Sequence, residues 1–362
     1  MIDVLPNQAR KGRGAVSNAA GRFEPHARAA IDDGWDFVDP DAPRLRTEVT
    51  VETARTAMAR NASPDIPFDR SLNPYRGCEH GCVYCYARPS HAYHNLSPGL
   101  DFETKLFARA NLAEALEREL RRPGYRPAPV MIGANTDPYQ PIEREHRITR
   151  EVLEVLRAYR HPACIITKSA GIVRDLDILG DMARDGLVSV GVSLTTLDGS
   201  LARTLEPRAA TPGKRLKAIE ALSGAGVPVC VMAAPMIPTL NDHELEAILA
   251  AGAEAGAALA TYILLRLPGE VEGLFAEWLD AHAPGKKARV LSLLSQSRSG
   301  QLNDAAFTSR MTGVGVHAKL LSQRFRLACK KLGLNAAERD GFDLDAGQFA
   351  CPPRAGDQLN LL

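Results

Sequence analysis

Short apolar runs alternate with amphipathic stretches through the middle of the chain. Runs of mostly apolar residues bounded by polar or glycine-rich segments indicate buried strands, and apolar residues recurring every three or four positions indicate helices. Strands are predicted at residues 129–133, 163–168, 187–194, 227–234 and 258–265, with a sixth, short strand leading into residue 78. Helices are predicted at residues 103–122, 141–159, 172–184, 212–223 and 241–255.

This alternation predicts the fold class. Strands that are apolar on both faces are typical of parallel sheets covered by helices. Six successive β–α units therefore indicate an α/β fold with a partial, open six-stranded parallel (βα)6 barrel. Two helix starts carry recognisable signals: Thr211 followed by Pro212, and a capping box of Asn241 with Glu244. In such barrels, functional groups gather at the carboxyl ends of the strands.

The segments on either side of the barrel lack this pattern. We expect residues 1–67 to form an irregular N-terminal extension with short helices around 51–60. Residues 68–284 should form the barrel, and residues 285–362 a helical, basic C-terminal segment and tail. Prolines in the tail, from residue 336 onward, favour an extended chain over a helix.

A helix over residues 316–332 is predicted within the basic C-terminal segment. The side chains expected to face the core are Val316, Leu320, Phe325 and Ala328, and those expected to face outward are Lys319, Gln323, Arg326 and Lys330. Residues 286–331 hold ten Lys or Arg residues against one acid, Asp304. Two interpretations stay open: a solvated helix face that closes the barrel, or a phosphate-binding stripe for a nucleic acid.

The composition of the chain narrows its class. With 362 residues, 45% hydrophobic and 24% charged, it has enough apolar material for one large core or two ordinary ones. Apolar runs such as residues 227–237 are too short to cross a bilayer, and no leader pattern follows Met1. An odd number of cysteines, seven, argues against a disulfide framework. A soluble, cytoplasmic protein with no membrane partner is expected.

Three of the seven cysteines lie close together. Cys78, Cys82 and Cys85 have C-x3-C-x2-C spacing, and Gly77 and Gly81 precede two of them. Thiolates select zinc, copper(I) or iron–sulfur clusters, and a four-iron cluster held by only three cysteines keeps one iron open to another ligand. The glycines permit the positive backbone angles of a tight wrap. A structural zinc site remains the alternative, completed by one of the nearby histidines His80, His91 and His94.

The motif resembles the cluster motif of the radical S-adenosylmethionine (radical SAM) superfamily. Tyr84 and Tyr86 flank Cys85, and Ala87 and Arg88 follow, which is similar to the branch containing spore photoproduct lyase. The similarity extends from about residue 73 to residue 267. It implies a barrel of radical SAM type, a 4Fe-4S cluster on the three cysteines, and S-adenosylmethionine (SAM) on the open iron. It further implies reductive cleavage of SAM to a 5′-deoxyadenosyl radical, with electrons from a donor such as flavodoxin or ferredoxin.

The resemblance, together with the polar residues at the strand ends, suggests which side chains serve the site. For SAM these are Tyr84 through its backbone, Asn135, Thr136 and Asp137 for the amino group, Lys168 for the carboxylate, Ser193 and Thr195 for the ribose, and the charged turn of Glu206 and Arg208. Tyr86 and Tyr139 are the candidate catalytic residues for returning a hydrogen atom. Where spore photoproduct lyase carries a thiol donor after its second strand, this chain has Ala134, Asn135 and Thr136.

Three hypotheses about function follow. The first is a radical SAM enzyme, of lyase or transferase type, acting on an unknown substrate. The second keeps this core and makes the substrate a nucleic acid, repaired or modified in a photoproduct lyase-like reaction, with the basic C-terminal segment on its phosphates. The third is a zinc-binding module without catalysis.

Overall fold

The computed structural model describes residues 3–4, 9–24, 31–32, 45–336 and 344–353. Its strands are β1 (Asp3–Val4), β2 (Ile31–Asp32), β3 (Glu48–Glu52), β4 (Met58–Arg60), β5 (Arg70–Leu72), β6 (Tyr75–Arg76), β7 (Lys105–Arg109), β8 (Val130–Ile132), β9 (Ala163–Thr167), β10 (Val188–Ser193), β11 (Val229–Met236) and β12 (Leu259–Leu264). Most of the predicted tail lies outside the described residues.

The α-helices are α1 (Asp101–Thr104), α2 (Leu112–Leu120), α3 (Glu143–His146), α4 (Ile148–Ala158), α5 (Leu176–Arg184), α6 (Gly199–Leu205), α7 (Pro212–Gly224), α8 (Leu245–Glu254), α9 (Val271–His282), α10 (Lys287–Gln296) and α11 (Gly315–Leu332). Short 3-10 helices cover Arg88–His94, Ala170–Asp175, Asp242–Glu244, Pro284–Lys286 and Ala346–Gln348.

The main sheet has seven strands in the order β12, β11, β10, β9, β8, β5, β4. The six strands from β5 to β12 in this order pair in parallel, and β4 pairs antiparallel with β5. All six residues of β10 are buried, because this central strand has neighbours on both sides and helices over the sheet. The predicted open, six-stranded parallel barrel is confirmed, and β4 is an additional edge strand.

The predicted helix over residues 103–122 is wrong in its first half. Residues 105–109 form β7, which pairs with β3 and β6 in a separate three-stranded sheet. Leu106 and Ala108 are buried while their neighbours are half-buried, which is the period-two pattern of a strand. Pairing with β7 makes residues 48–52 a strand, and pairing with β5 makes residues 58–60 a strand, so the predicted short helices around 51–60 are also wrong. Contacts between distant segments override local helical periodicity here.

The predicted capping box at Asn241 and Glu244 is wrong. The Asn241 side chain accepts from the Ile237 amide at 2.6 Å and donates to the Thr195 carbonyl at 2.6 Å. The Glu244 carboxylate accepts from the Thr196 hydroxyl at 2.8 Å. Both side chains therefore fasten the loop after β10 and leave the start of α8 uncapped. The predicted start at Thr211 and Pro212 is confirmed, with Pro212 as the first residue of α7.

The C-terminal helix α11 forms as predicted but turns a different face inward. Val316 is 85% exposed and Leu320 is 52% exposed, so their predicted burial is wrong. The residues that pack inward are Ala318, Leu321, Phe325, Ala328 and Cys329. The helix lies against α8 and β12, with the Phe325 and Tyr262 ring centroids 4.8 Å apart, and this contact sets its rotation. The predicted outward side chains are indeed exposed.

The sheet stays open between β4 and β12. The free edge of β12 is covered by two loops: the Leu264 amide donates to the Met311 carbonyl at 2.9 Å, and the Asn335 side chain bonds both ways with the Ala260 backbone. None of the helices in the described part of the chain combines the length and apolar character that crossing a bilayer requires. The division at residues 67 and 284 stays a prediction, although β4 joins the main sheet from before the first boundary.

Candidate active site

The three clustered cysteines lie on a tightly wound loop at the carboxyl edge of the barrel. Gly77 and Gly81 have φ angles of +71° and +69°, which glycine adopts without strain. The Gly81 amide donates to the Cys78 carbonyl at 3.3 Å, and the Cys85 amide donates to the Cys82 carbonyl at 3.2 Å. We call residues 76–88 the cysteine loop.

A fully buried arginine holds the cysteine loop from beneath. The Arg88 guanidinium donates to the carbonyls of Gly81 at 3.1 Å and Cys82 at 2.8 Å, and it pairs with the Glu103 carboxylate at 2.5 Å. It also donates to the carbonyls of Pro98 and Gly99. The planar guanidinium thus donates to five acceptors, and the Gly81 and Cys82 carbonyls of the loop have hydrogen-bond partners without water.

Part of the N-terminal extension packs against the same loop. The Glu103 carboxylate accepts from the amides of Gly14 at 3.0 Å and Ala15 at 2.8 Å, and Arg13 donates to the Glu103 carbonyl at 2.9 Å. A Cβ atom on Gly14 would overlap the Gly81 carbonyl oxygen. Residues 13–15 thus form part of the wall behind the cysteine loop.

The cysteine loop faces a cavity of about 1080 Å³ inside the open barrel. Most of the site residues expected from sequence line this cavity: Cys78, Cys82, Tyr84, Cys85, Tyr86, Asn135, Thr136, Asp137, Lys168 and Ser193. Four others do not line it: Tyr139, Thr195, Glu206 and Arg208. Strand ends that are far apart in sequence therefore meet the three thiols at one place.

Lys168 lies at the centre of a buried polar network. Its ammonium donates to the hydroxyls of Ser193 at 2.5 Å and Thr195 at 3.2 Å, and it lies 3.1 Å from the Glu206 carboxylate. Burial would raise the pKa of Glu206, but Arg215 and Lys168 outweigh it and hold that pKa well below its usual value. Glu206 therefore stays ionised and keeps the ammonium in place.

Asp137 is tied to the end of β9 and to the cysteine loop. It accepts from the Lys168 amide at 2.7 Å and the Thr167 hydroxyl at 2.7 Å, and it lies 3.3 Å from the His80 ring. Burial alone would raise the pKa of Asp137, but His80 and these hydrogen bonds lower it. The carboxylate is thus ionised at the edge of the cavity.

Tyr139 and Arg208 point away from the cavity. The Tyr139 hydroxyl donates to the Asp175 carboxylate at 3.1 Å, and Arg208 pairs with Glu79 at 2.6 Å on the outer side of the cysteine loop. Tyr86, in contrast, lines the cavity; its hydroxyl donates to the Ala134 carbonyl. Of the two tyrosines considered for catalysis, only Tyr86 is within the cavity.

Comparison with known proteins decides the family. The model of the radical SAM superfamily matches residues 72–251. An uncharacterized protein of Mycobacterium tuberculosis is 40% identical over 230 residues, which cover 63% of this chain and 68% of that protein. An uncharacterized protein of Methanocaldococcus jannaschii is 27% identical over 173 residues, 48% of this chain and 62% of that protein. The chain belongs to the radical SAM superfamily.

The solved structure of spore photoproduct lyase with dinucleoside spore photoproduct shares the fold of this radical SAM enzyme. The two superpose with a TM-score of 0.58 over 79% of this chain and 80% of that chain, at 15% sequence identity. The radical SAM family implies a 4Fe-4S cluster and SAM as cofactors.

The histidines near the cysteine loop do not complete a zinc site with the three thiols. His91 contacts the Lys105 carbonyl at 2.9 Å, His94 packs against Phe107, and neither lines the cavity. His80 lines the cavity but lies 3.3 Å from the Asp137 carboxylate. Three cysteine thiolates are the ligand type that the cluster implied by the family requires. Membership of an enzyme superfamily argues against a zinc-binding module without catalysis.

The surroundings of the three thiols favour their neutral, protonated form in the absence of metal. Burial raises the pKa of Cys78, Cys82 and Cys85, and the carboxylates of Asp137 and Glu206 raise the first two further. Ligand thiols must lose their protons to bind metal. Metal loading is therefore coupled to proton release.

Sequence reasoning missed several residues that build the site. Arg88 was noticed only as part of the motif, and Glu103, Arg215 and Gly14 were not singled out. Their roles depend on burial and on partners up to 90 residues away in sequence, such as Arg13 and Glu103. No local pattern signals such contacts.

Proposed function

We propose that this radical SAM enzyme holds a 4Fe-4S cluster on Cys78, Cys82 and Cys85 and binds SAM beside it, with its substrate in the rest of the cavity. When bound and reduced, the cluster supplies the electron that cleaves SAM to methionine and a 5′-deoxyadenosyl radical. The observation that carries the proposal is the meeting of three thiols with Lys168 and an ionised Asp137 at one barrel edge.

The protein's own contribution is to position SAM. Lys168 binds the carboxylate of SAM, because its ammonium reaches the cavity and is already oriented by Ser193. Thr195 and Glu206 act as positioning residues for Lys168, since they contact it without lining the cavity. A preorganised cation costs less to orient when the ligand arrives.

The remaining SAM contacts come from the end of β8 and from the cysteine loop. Asn135, Thr136 and Asp137 face the amino group of SAM, Ser193 the ribose, and the backbone beside Tyr84 the adenine. Thr136 is fixed for this task by a 2.8 Å bond from its hydroxyl to the Tyr75 carbonyl. Arg208 supports the site from outside by holding Glu79.

Tyr86 is the proposed catalytic residue for returning a hydrogen atom. It follows the third cysteine, lines the cavity and is 48% exposed there. Ala134 takes the place after β8 where spore photoproduct lyase has a thiol donor. Cys164, Cys230 and Tyr262 also line the cavity, and Tyr86 is assigned the role because it belongs to the cysteine loop itself. Tyr139 is bound to Asp175 and does not share this role.

The proposal extends to the setting of the enzyme. No disulfide joins any of the seven cysteines, which supports a reducing compartment such as the cytoplasm. A low-potential donor such as flavodoxin or ferredoxin would supply electrons. The barrel at residues 68–284 would carry the chemistry, with residues 13–15 supporting the cysteine loop and the loops at residues 311 and 335 covering β12.

Anaerobic reconstitution of the full-length protein tests this function. The protein should take up about four irons per chain and should form 5′-deoxyadenosine from SAM when reduced with dithionite. Lys168→Met should keep the iron and weaken SAM binding. Lys217→Met, at an exposed position on α7, should keep both the iron and normal SAM binding. Zinc in place of iron, or no 5′-deoxyadenosine from iron-loaded protein, would refute the proposal.

A nucleic acid substrate is a second candidate. Lys319, Gln323 and Arg326 line a shallow surface pocket together with Thr312, and Thr312 also lines the cavity. A basic surface next to the cavity mouth suits a phosphate backbone. Binding to single-stranded DNA or RNA should fall steeply with salt, and replacing Lys319, Arg326 and Lys330 by glutamine should abolish it. Salt-independent binding would exclude this candidate.

A further inference from the structure

One charged side chain in the cavity has no counter-ion. The charged residues that line the cavity are Asp65, His80, Asp137, Lys168, Arg266 and Arg310. His80 lies against Asp137, Lys168 pairs with Glu206, and Arg310 pairs with Asp65. Within the part of the chain that the structure describes, Arg266 forms no ion pair and its guanidinium donates no hydrogen bond.

Arg266 stands beside the proposed catalytic tyrosine. Its guanidinium carbon lies 5.1 Å from the centroid of the Tyr86 ring, which is a cation–π contact. The Tyr86 ring limits the orientation of the Arg266 guanidinium plane. The guanidinium N–H groups remain available for hydrogen bonds at the edge of that plane. Arg266 lies two residues beyond the end of β12, so it belongs to the side on which the barrel is open.

Arg310 lies near Arg266 at this open side. Two of its nitrogens bind the two oxygens of Asp65 at 2.5 Å each, and its guanidinium also lies over the Phe307 ring. Burial lowers the pKa of Arg266, and the positive charge of Arg310 lowers it further. Two arginines and one carboxylate line this part of the wall, and only Arg310 is paired with that carboxylate, so the wall has a net positive charge here.

A third arginine fixes the backbone that carries both. Arg298 is 1% exposed, and its guanidinium donates to the carbonyls of Leu265 at 2.9 Å and Arg310 at 2.7 Å. It also donates to the Ser309 carbonyl at 3.0 Å. Leu265, which precedes Arg266, and Arg310 are therefore both bonded to the buried Arg298 guanidinium. This shared partner keeps the spacing of the two cavity arginines constant.

We propose that Arg266, assisted by Arg310, is a binding site for an oxyanion of the substrate, either a phosphate ester or a carboxylate. This inference rests on the proposed function, because it takes the cavity to be the active site. A guanidinium presents paired donors that match the two oxygens of such groups, and desolvation makes those hydrogen bonds strong. The substrate would lie between the open side of the barrel and Tyr86.

The size of the cavity agrees with this assignment. Pockets for small ligands and cofactors usually have volumes of about 300–1,000 Å³, and this cavity has about 1080 Å³. It therefore has room for SAM near the cysteine loop and for a second molecule beside Arg266. A neutral substrate would cover the half-buried Arg266 charge without compensating it, which is costly.

Calorimetric titration of paired probes tests the proposal. Reconstituted full-length protein, saturated with SAM and without reductant, is titrated with uridine 5′-monophosphate and uridine, and with hippurate and its neutral amide. One charged probe should bind more tightly than its neutral partner: the nucleotide if the substrate is a phosphate ester, hippurate if it is a carboxylate. Arg266→Gln should weaken that binding roughly 10- to 100-fold. Arg289→Gln, an exposed position on α10, should leave it unchanged.

Folding and the cofactor proposal are controlled separately. Unfolding temperatures are measured for each variant, and Arg266→Lys, which keeps the charge and loses the fork, should also lose most of the selectivity. Equal binding of charged and neutral probes by the wild type, or unchanged binding by both Arg266 variants, would overturn the inference. The same titrations are repeated before reconstitution. Missing iron or missing SAM cleavage with intact anion selectivity would refute only the proposed function.

Discussion

Arg88 and Glu103 form an ion pair beneath the cysteine loop, with 2.5 Å between Arg88 Nη2 and Glu103 Oε1 and neither side chain exposed. Breaking such a buried pair leaves one charge without compensation, which costs about 3–5 kcal/mol. We therefore expect Arg88→Met to lower the free energy of unfolding in urea by about that amount.

The matched control for Arg88 is an exposed ion pair of the same types. Arg76 pairs with Glu52 at 2.8 Å, but the Arg76 side chain is 47% exposed. Exposed pairs contribute about 0–1 kcal/mol, so Arg76→Met should change the free energy of unfolding by less than about 1 kcal/mol. Equal losses in the two variants would contradict the role assigned to Arg88.

Gly14 provides a test of the contact between the N-terminal segment and the cysteine loop. A methyl group on Gly14 would overlap the Gly81 carbonyl oxygen, so Gly14→Ala must displace either residues 13–15 or the loop. We expect this variant to retain less iron after anaerobic reconstitution than the wild type does. Gly199→Ala is the control, because a Cβ atom there meets no atom within 4 Å. Equal iron contents in the two variants would show that the segment does not support the loop.

Arg298 joins the end of β12 to the loop at residues 309–310, and it forms no ion pair with any acid in the described part of the chain. Removing its guanidinium would leave the buried carbonyls of Leu265, Ser309 and Arg310 short of donors. Each unsatisfied buried group costs about 1–3 kcal/mol, so Arg298→Met should be strongly destabilised in urea unfolding. Arg289→Met on the exposed face of α10 should stay within about 0.5 kcal/mol of the wild type. A similarly small effect at Arg298 would contradict this account.

His161 makes stability depend on pH. It lies in the connection between α4 and β9 and is fully buried. Its ring contacts the Tyr125 hydroxyl at 2.7 Å, and burial lowers its pKa to about 4. The unfolded chain gains a proton near pH 6.5 and the folded protein does not, so stability is complete above pH 6.5 and is lost as the pH falls toward 4. This single group should cost about 2 kcal/mol between pH 7 and pH 5.

The measurement for His161 is urea unfolding at pH 7 and pH 5. His161→Gln keeps a polar side chain and cannot titrate, so the difference in unfolding free energy between the two pH values should shrink by about 2 kcal/mol. An unchanged difference would show that His161 does not titrate as its environment indicates.

Parts of this fold could be predicted because they depend on local sequence. Strand β10 is buried on both faces and no residue of β11 is exposed, so the apolar runs of both are easy to recognise. The three cysteines are adjacent in sequence, and the polar residues after β8 and β9 are placed at the cavity by the parallel arrangement alone. Asp137 and Lys168 could thus be assigned to one site before the structure was known.

Other parts depend on contacts that no local pattern encodes. Residues 105–109 have helical spacing of apolar residues, yet β3 and β6 turn them into a strand. The inward face of α11 is chosen by Tyr262 and α8, which leaves Val316 exposed. Arg88 and Arg298 are buried because backbone carbonyls accept their hydrogen bonds. From sequence alone an arginine is expected at the surface, so their burial could not be predicted.

The most direct test of the central claim is the iron and sulfide content of anaerobically reconstituted protein. The wild type should hold about four irons and four sulfides per chain, and a variant with Cys78, Cys82 and Cys85 changed to alanine should hold almost none. A control with Cys329 and Cys351 changed to alanine should match the wild type, since neither lines the cavity. A full complement of iron in the triple variant would contradict the claim that these three cysteines hold the cluster.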